Sequence, residues 1–281
     1  MQKRVMLVVL AHPDDETFGM GGTLAHYAQL GVEVHLVCAT RGEAGTVDPA
    51  LLEGYNSIAE LREHELRCAA KKLGLTGVYF LGHRDSGVAG SVDNRHPDAL
   101  MNQPLDKVAE QVLSWIQKLQ PQVVVTFDPI GGNRHPDHMA AHHAAERAFQ
   151  WAVGQSNFRQ VDAPPAKLYY SVFPKQWFKP VIKLMPLFGI DPRHSGRNKD
   201  VDLVALMEDS DYPIHARIRH QIVAAKRVAA FSCHASQLPG NRIMRKLRPY
   251  LFNLSGSRDF FMRAYPPAEP GLKETDLFAG L

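Results

Sequence analysis

The sequence predicts an α/β fold: a Rossmann-like, mostly parallel sheet flanked by helices, with a C-terminal elaboration. Three observations predict it. Val5 to Leu10 and Val123 to Phe127 are near-continuous aliphatic runs, the pattern of strands covered on both faces. Segments with apolar residues at helical spacing stand between such runs, as crossovers between parallel strands require. Two dense polar clusters directly follow strand candidates, and open parallel sheets bind ligands outside their carboxyl ends.

Taken in order, the strand at Val5 to Leu10 is followed by a helix over Gly19 to Leu30 and a second strand over Val32 to Ala39, a spacing that suits a right-handed βαβ unit. Ile58 to Leu73 reads as a helix with Gly74 placed to cap its C-terminus. Val78 to Leu81 is a short strand, Leu105 to Leu119 a helix, Val123 to Phe127 a strand and Ala140 to Phe149 a helix. Beyond about Gln150 the alternation loosens. We read one domain over residues 1–281: a core over about 1–150, an elaboration over about 163–200, and a C-terminal helix and tail over 214–281. The elaboration is rich in Pro, aromatic and basic residues, is anchored by a strand near Leu168 to Val172, and suits a lid. The C-terminal helix is expected over Ile214 to Phe231, with Ile214, Ile218, Ile222, Ala225 and Ala229 along one side.

Composition narrows the function classes. With 281 residues, 45% hydrophobic and 22% charged, the chain is long enough to bury a substantial core. A formal charge of +3 is too small to suggest nucleic acid as a partner. No stretch approaches the roughly 20 apolar residues of a membrane span, and the N-terminal apolar run is too short for a signal sequence. Cys38, Cys68 and Cys233 are widely spaced without a CxxC pair, so we expect reduced thiols, a cytoplasmic protein and no thiolate metal site. A homo-oligomer is left open.

The chemistry sits in the two clusters, His12-Pro13-Asp14-Asp15-Glu16 and His135-Pro136-Asp137-His138. An HxxD turn brings an imidazole and a carboxylate to one point, and HxxH at a helix start puts two imidazoles on adjacent rungs. Nitrogen and oxygen donors without thiolate fit Zn2+, or Fe2+, Mn2+ or Co2+. A catalytic zinc site uses three protein ligands and keeps one position open. His12, Asp14, Asp15, His135 and His138 exceed three, so two remain for acid–base work. An extended backbone at Asp14 would direct it away from Asp15.

On AHPDDE (Ala11 to Glu16) and HPDH (His135 to His138), the chain resembles the N-acetylglucosaminyl-phosphatidylinositol de-N-acetylase-like proteins, the PIG-L or LmbE-like family. TRGEAGT (Thr40 to Thr46), ELREHEL (Glu60 to Leu66), RDSG (Arg84 to Gly87) and HASQ (His234 to Gln237) follow in the family's order. The resemblance implies a zinc-dependent N-deacetylase with His12, Asp15 and His138 as metal ligands and Asp14 as general base. It implies that a protonated His135 stabilises the oxyanion or protonates the departing amine, and that Asp137 orients that imidazole. Arg62 and Asp85 match positions that hold sugar hydroxyls. Where some relatives carry a Tyr two residues before HPDH, this chain has Asn133, followed by Arg134; both are candidate substrate contacts.

Several histidines are set apart. His96-Pro97-Asp98 repeats the start of HPDH but ends in Ala99. His142 and His143 follow His138 on the same helix, with packing or a supporting role expected for His142. His64 and His220 read as helix-surface residues, while His234 and Gln237 divide evenly between pocket and packing. The functional expectation is removal of an N-acetyl group from an N-acetylglucosamine-type small glycoside. An amidase for a larger acyl group on a thiol conjugate or secondary metabolite is the alternative. A metal-free sugar- or nucleotide-binding module is the non-enzyme alternative, weakened because the first strand–helix turn lacks GxGxxG.

Overall fold

The computed structural model describes residues 3–154, 161–188, 191–194, 203–208, 211–238 and 257–281. Strands β1 (Val5–Leu10), β2 (Glu33–Thr40), β3 (Gly77–His83), β4 (Val123–Phe127), β5 (Lys167–Ser171), β6 (Ala216–Arg219) and β7 (Arg258–Tyr265) form one sheet in the order β3-β2-β1-β4-β5-β7-β6. The first five run parallel, and β7 pairs antiparallel with both β5 and β6. The helices are α1 (Asp15–Gln29), α2 (Ile58–Leu73), α3 (Leu105–Leu119), α4 (Pro136–Ala152), α5 (Lys175–Leu184), α6 (Leu203–Glu208) and α7 (Ala224–Cys233).

The aliphatic run of β1 is divided by the pleat between two cores. Met6, Val8 and Leu10 pack on one face with Leu24, Leu66, Leu73 and Ala230, from α1, α2 and α7. Leu7 and Val9 pack on the other with Val112, Ile116, Ala145 and Phe149, from α3 and α4. Each such buried aliphatic side chain contributes about 1.5–3 kcal/mol, which is why β1 carries no polar residue. Ser57 caps α2, its side chain accepting from Glu60 N at 3.1 Å, an interaction worth about 1 kcal/mol. Gly74 ends α2 at φ 84° with its N–H on Ala70 O, the left-handed cap expected from the sequence.

Four expectations change. The first helix begins at Asp15 rather than Gly19, so Asp15 and Glu16 lie in its first turn, where the helix dipole favours carboxylates. The helix expected over Ile214 to Phe231 is strand β6, a short 3-10 turn and then α7. In β6, Ala216 and Ile218 are buried while Arg217 and Arg219 are exposed, a period of two that the isoleucines spaced four apart concealed; Ile222 is exposed. Cys68 and Cys233 are joined by a disulfide that ties α2 to α7, leaving Cys38 free and buried; the expectation of three reduced thiols fails, and with it that support for a cytoplasmic location. His220 is buried, its Nε2 3.2 Å from Asp259 Oδ1, and fits there because a Cβ on Gly22 would lie 2.3 Å from its ring.

In the region of the expected elaboration, α5 and a 3-10 turn over Met185–Phe188 are formed; residues 189–190 and 195–200 of it, and 239–256 of the tail, lie outside the described residues. No described helix is long and apolar enough to cross a membrane.

Candidate active site

Sheet topology brings the two polar clusters together. β1 is flanked by β2 on one side and β4 on the other, so the chain's connections diverge at the carboxyl ends of β1 and β4, where a crevice opens in such sheets. His12 follows β1, and the loop after β4 runs through Asp128 to His135 and opens α4 at Pro136.

His12 Nδ1 lies 3.2 Å from His138 Nε2 and 3.5 Å from Asp15 Oδ2, and His138 Nε2 lies 3.2 Å from Asp15 Oδ1. The protons on both rings are fixed from behind. His138 Nδ1 faces Gly131 O at 2.9 Å, and a carbonyl only accepts, so Nδ1 donates and Nε2 is bare. His12 Nε2 faces Asp137 Oδ2 at 3.1 Å and Asp85 Oδ1 at 3.5 Å, so its proton sits there and Nδ1 is bare. With both rings neutral, two nitrogen lone pairs and a carboxylate converge, an arrangement that repels itself unless a proton or a metal ion sits between them. Their separations match the edge of about 3.4 Å set by a tetrahedral ion with bonds of about 2.1 Å. The residues present fit a divalent metal, and the carboxylate behind His12 is the usual orienting partner of a ligating imidazole.

The electrostatics favour positive charge at this point, which a proton on His12 supplies when no ion is bound. Burial opposes charge on His12, but Asp85, Asp137 and Asp15 outweigh it and hold its pKa well above the ordinary value. Burial acts to raise Asp15, yet His138 and His12 hold it well below the usual carboxylate range. Burial likewise works against ionised Asp85, and His12 and the Gly87 N–H overcome it, keeping that carboxyl low.

Asp14 stands beside this cluster but separately from it. Its backbone is left-handed, φ 117°, not extended as the sequence reading supposed; this conformation separates Asp14 from Asp15 and costs about 1–3 kcal/mol. The strain is held from two sides. The Asp14 N–H donates to Glu16 Oε2 at 3.0 Å, and Glu16 Oε1 in turn takes Thr17 Oγ1 and His234 Nε2. The Asp14 carboxylate takes Arg62 Nη2 at 3.1 Å, a guanidinium that also donates to Pro13 O and Gly42 O. Burial pushes the Asp14 carboxyl up to about 6, against the pull of Arg62. Gly42, at φ 71°, must lack a side chain, because a Cβ there would lie 2.0 Å from Arg62 Nη1.

Three expectations for individual side chains meet other contacts here. Arg62 and Asp85, expected to hold sugar hydroxyls, are 4% and 3% exposed, with their polar atoms turned on Asp14 and His12. Asp137 supports His12 rather than His135: its carboxylate takes the Ser86 N–H and hydroxyl and faces His12 Nε2. His135 is not set up as an imidazolium. Its Nδ1 accepts the Asp137 N–H at 3.2 Å, capping α4, and burial together with His12 and His138 pulls its pKa down to about 3. The ring is therefore a neutral one whose Nε2 carries the proton, stacked edge-on against His12 with centroids 4.6 Å apart.

Asn133 and Arg134 lie exposed on the loop leading into His135, with Asn133 Oδ1 accepting the His135 N–H. The His96–Asp98 repeat lies on an exposed loop after β3, its His96 ring accepting the Asp98 N–H. Sequence reasoning did not assign Glu16, Glu65 or Ser86. Glu65 binds the N–H and hydroxyl of Ser236, which holds HASQ against α2. All three stood inside motifs already singled out, and the signal for them was that a carboxylate or hydroxyl in a buried motif needs a named partner.

The comparisons with known proteins bear on the same residues. The PIG-L family, described as GlcNAc-PI de-N-acetylase, matches residues 7–149, which contain both clusters. Among curated relatives, the 1D-myo-inositol 2-acetamido-2-deoxy-alpha-D-glucopyranoside deacetylases of Salinispora arenicola and Acidothermus cellulolyticus are each 34% identical. The alignments cover 99% of this chain in both cases, and 92% and 95% of those proteins. Among solved structures, N,N'-diacetylchitobiose deacetylase from Pyrococcus horikoshii superimposes with a TM-score of 0.61 at 21% identity, over 93% of this chain and 83% of that one. The 4-carboxy-2-hydroxymuconate hydratase of Pseudomonas putida superimposes at 0.56 and 19%, over 96% and 99%, so the fold alone does not specify the reaction. Family match and full-length relatives together place the chain: it belongs to the PIG-L family of GlcNAc-PI de-N-acetylase-like proteins.

Proposed function

We propose that the protein is a metal-dependent N-deacetylase that releases acetate from an N-acetylglucosamine-type small glycoside, with the inositol glycoside named for its curated relatives as the first substrate to test. The observation that carries this reading is the convergence of two bare imidazole nitrogens and the Asp15 carboxylate beside a separately held carboxylate, Asp14. His12 Nδ1, Asp15 and His138 Nε2 would hold the ion, for which we take Zn2+ as the occupant. The ion's contribution there is to polarise the acetamide carbonyl and acidify the attacking water.

The chain's own residues supply the rest. Asp14 takes the proton of the attacking water as the oxygen–carbon bond forms. The neutral His135 donates its Nε2–H to the carbonyl oxygen as negative charge develops there, a role that needs a hydrogen bond and no net charge. The carbon–nitrogen bond then breaks, the nitrogen leaves with the proton held by Asp14, and acetate and a free amine result. Asp85 and Asp137 keep His12 in the tautomer that leaves Nδ1 bare. Asn133 and Arg134, at the rim on the loop into His135, are proposed as substrate contacts.

The test is amine release from N-acetylglucosaminyl glycosides by purified protein supplied with Zn2+, compared with Asp14→Ala. The variant is expected to bind metal and to lose about 10²–10⁴-fold in kcat, the usual worth of a general base. Near wild-type turnover in that variant sinks the mechanism.

A further inference from the structure

One turn along α4 beyond His138, His142, His143 and Glu146 bring ligand atoms within 4.8 Å of one another. His142 is buried, Glu146 half-buried and His143 exposed. The spacing i, i+1, i+4 puts the three on one side of the helix, with His142 and Glu146 stacked on successive turns. His142 Nδ1 faces Phe127 O at 2.8 Å; the carbonyl only accepts, so Nδ1 donates and a neutral ring leaves Nε2 bare. That nitrogen faces Glu146 Oε2 at 3.9 Å.

The distance narrows the occupants of the gap. It is too long for a direct hydrogen bond, which ends near 3.2 Å. A bridging water with two bonds of about 2.8 Å prefers about 4.5 Å and reaches this separation only with both bonds bent. The distance falls between the roughly 3.4 Å and 4.2 Å that tetrahedral and opposed ligands of one ion adopt with bonds of about 2.1 Å. The surroundings are those of a ligand set as well. The Tyr170 hydroxyl donates to Glu146 Oε1 at 2.6 Å, fixing the carboxylate and leaving Oε2 for the ion. The Tyr170 ring meets His142 edge-on at 4.7 Å, and His143 does so at 5.0 Å. The first site is built the same way, with a backbone carbonyl orienting His138.

We propose that His142 Nε2, His143 and Glu146 Oε2 bind a second divalent transition-metal ion, distinct from the one expected at His12, Asp15 and His138. With one ligand exposed and all three on one helix, it binds more weakly than the first. It lies beside the carboxyl ends of β4 and β5, through Phe127 and Tyr170, and none of its ligands belongs to the hydrolytic set.

The full chain, stripped of metal, is titrated with Zn2+ by calorimetry and by equilibrium dialysis with metal analysis. Two equivalents are expected, the second weaker. Glu146→Gln and His142→Asn should weaken only the second, by at least about 10–100-fold, the cost of losing even a partner behind a metal's ligands. His143→Ala, an exposed change that does not threaten folding, should weaken it in the same direction. His138→Asn should remove the tighter equivalent and keep the weaker one, so failure of the first site is read separately from failure of the second. A single equivalent in the wild-type chain, or a second equivalent whose affinity is unchanged in both His143→Ala and Glu146→Gln, overturns the proposal.

Discussion

Replacing Arg62 with Met removes the cation that holds Asp14 while keeping an unbranched stem of similar reach. The pair is 3.1 Å apart, with side chains 5% and 17% exposed. Charge centres about 4 Å apart at an effective dielectric near 20 interact by about 4 kcal/mol, which is about 3 pKa units. Partial exposure of Asp14 lowers that, so a shift of about 1–3 units is expected, the range seen for a carboxylate beside a guanidinium. The sign follows from the mechanism. Asp14 works ionised, so kcat/KM rises with pH through its pKa, about 6 in this site. Without Arg62 the carboxyl titrates higher, and the acid limb moves to higher pH. Below both midpoints the variant should be about 10- to 1000-fold slower, converging on wild type at high pH, because each unit on the limb is tenfold. An ion at His12, Asp15 and His138 draws both limbs down together, so the displacement between them is the readout. Arg62→Lys keeps the charge and should move the limb less. The assay is the pH profile of kcat/KM with circular dichroism as a check on folding. A limb that stays in place, or moves to lower pH, in a folded Arg62→Met protein would refute the assignment of Asp14 as base under Arg62's control.

Three further outcomes are expected. Asp137→Asn takes the charge from behind His12 and should weaken metal binding about 10–100-fold, read by competition with a chromogenic chelator; unchanged affinity would break the link between Asp137 and His12. The Cys68–Cys233 bridge closes a loop of 165 residues, so Cys68→Ser with Cys233→Ser should cost up to about 5 kcal/mol by loop entropy, read by urea unfolding. Thiol titration of the denatured, unreduced chain should then find only Cys38 in the wild type, and three reactive thiols would contradict the bridge. Burial opposes ionised Asp259, but His220 and Thr23 outweigh it and lower its pKa. Its contribution is therefore full above about pH 4, the unfolded value, and lost as pH falls toward the folded one. The Tm gap between wild type and Asp259→Asn should be constant near neutrality and close on acidification; a gap that widens in acid has the wrong sign.

Much of the fold was legible because buried parallel strands leave a plain mark. The run in β1 and the whole of α2, α3 and β4 follow from periodicity and one glycine cap. What failed depended on partners far away in sequence. β7 takes its place only by pairing with β5 and β6, and no local pattern announces an antiparallel edge added to a parallel sheet. The Cys68–Cys233 bridge depends on α2 and α7 packing side by side, which a spacing of 165 residues does not reveal. The meeting of His12, Asp15 and His138, the candidate metal cluster, was legible for the opposite reason: each half is local, a turn after a strand or the first turn of a helix, and sheet topology brings the halves together.

The division of labour behind those residues was not legible, and it changes how the outlying motifs are understood. Asp14 must stand apart from its neighbour Asp15, and here a left-handed backbone achieves this over one residue. Such strain persists only where the surroundings over-determine it. Glu16 holds the Asp14 N–H, His234 holds Glu16, and Arg62 holds the carboxylate through a gap that Gly42 keeps open. Arg62 and Glu65 share α2, and Glu65 holds Ser236 two residues past His234. The motifs around Gly42, Arg62 and His234 are therefore best understood as one clamp on Asp14, the proposed base, which accounts for the burial of Arg62. Asn133 and Arg134, the proposed substrate contacts, stand outside this clamp on the exposed rim.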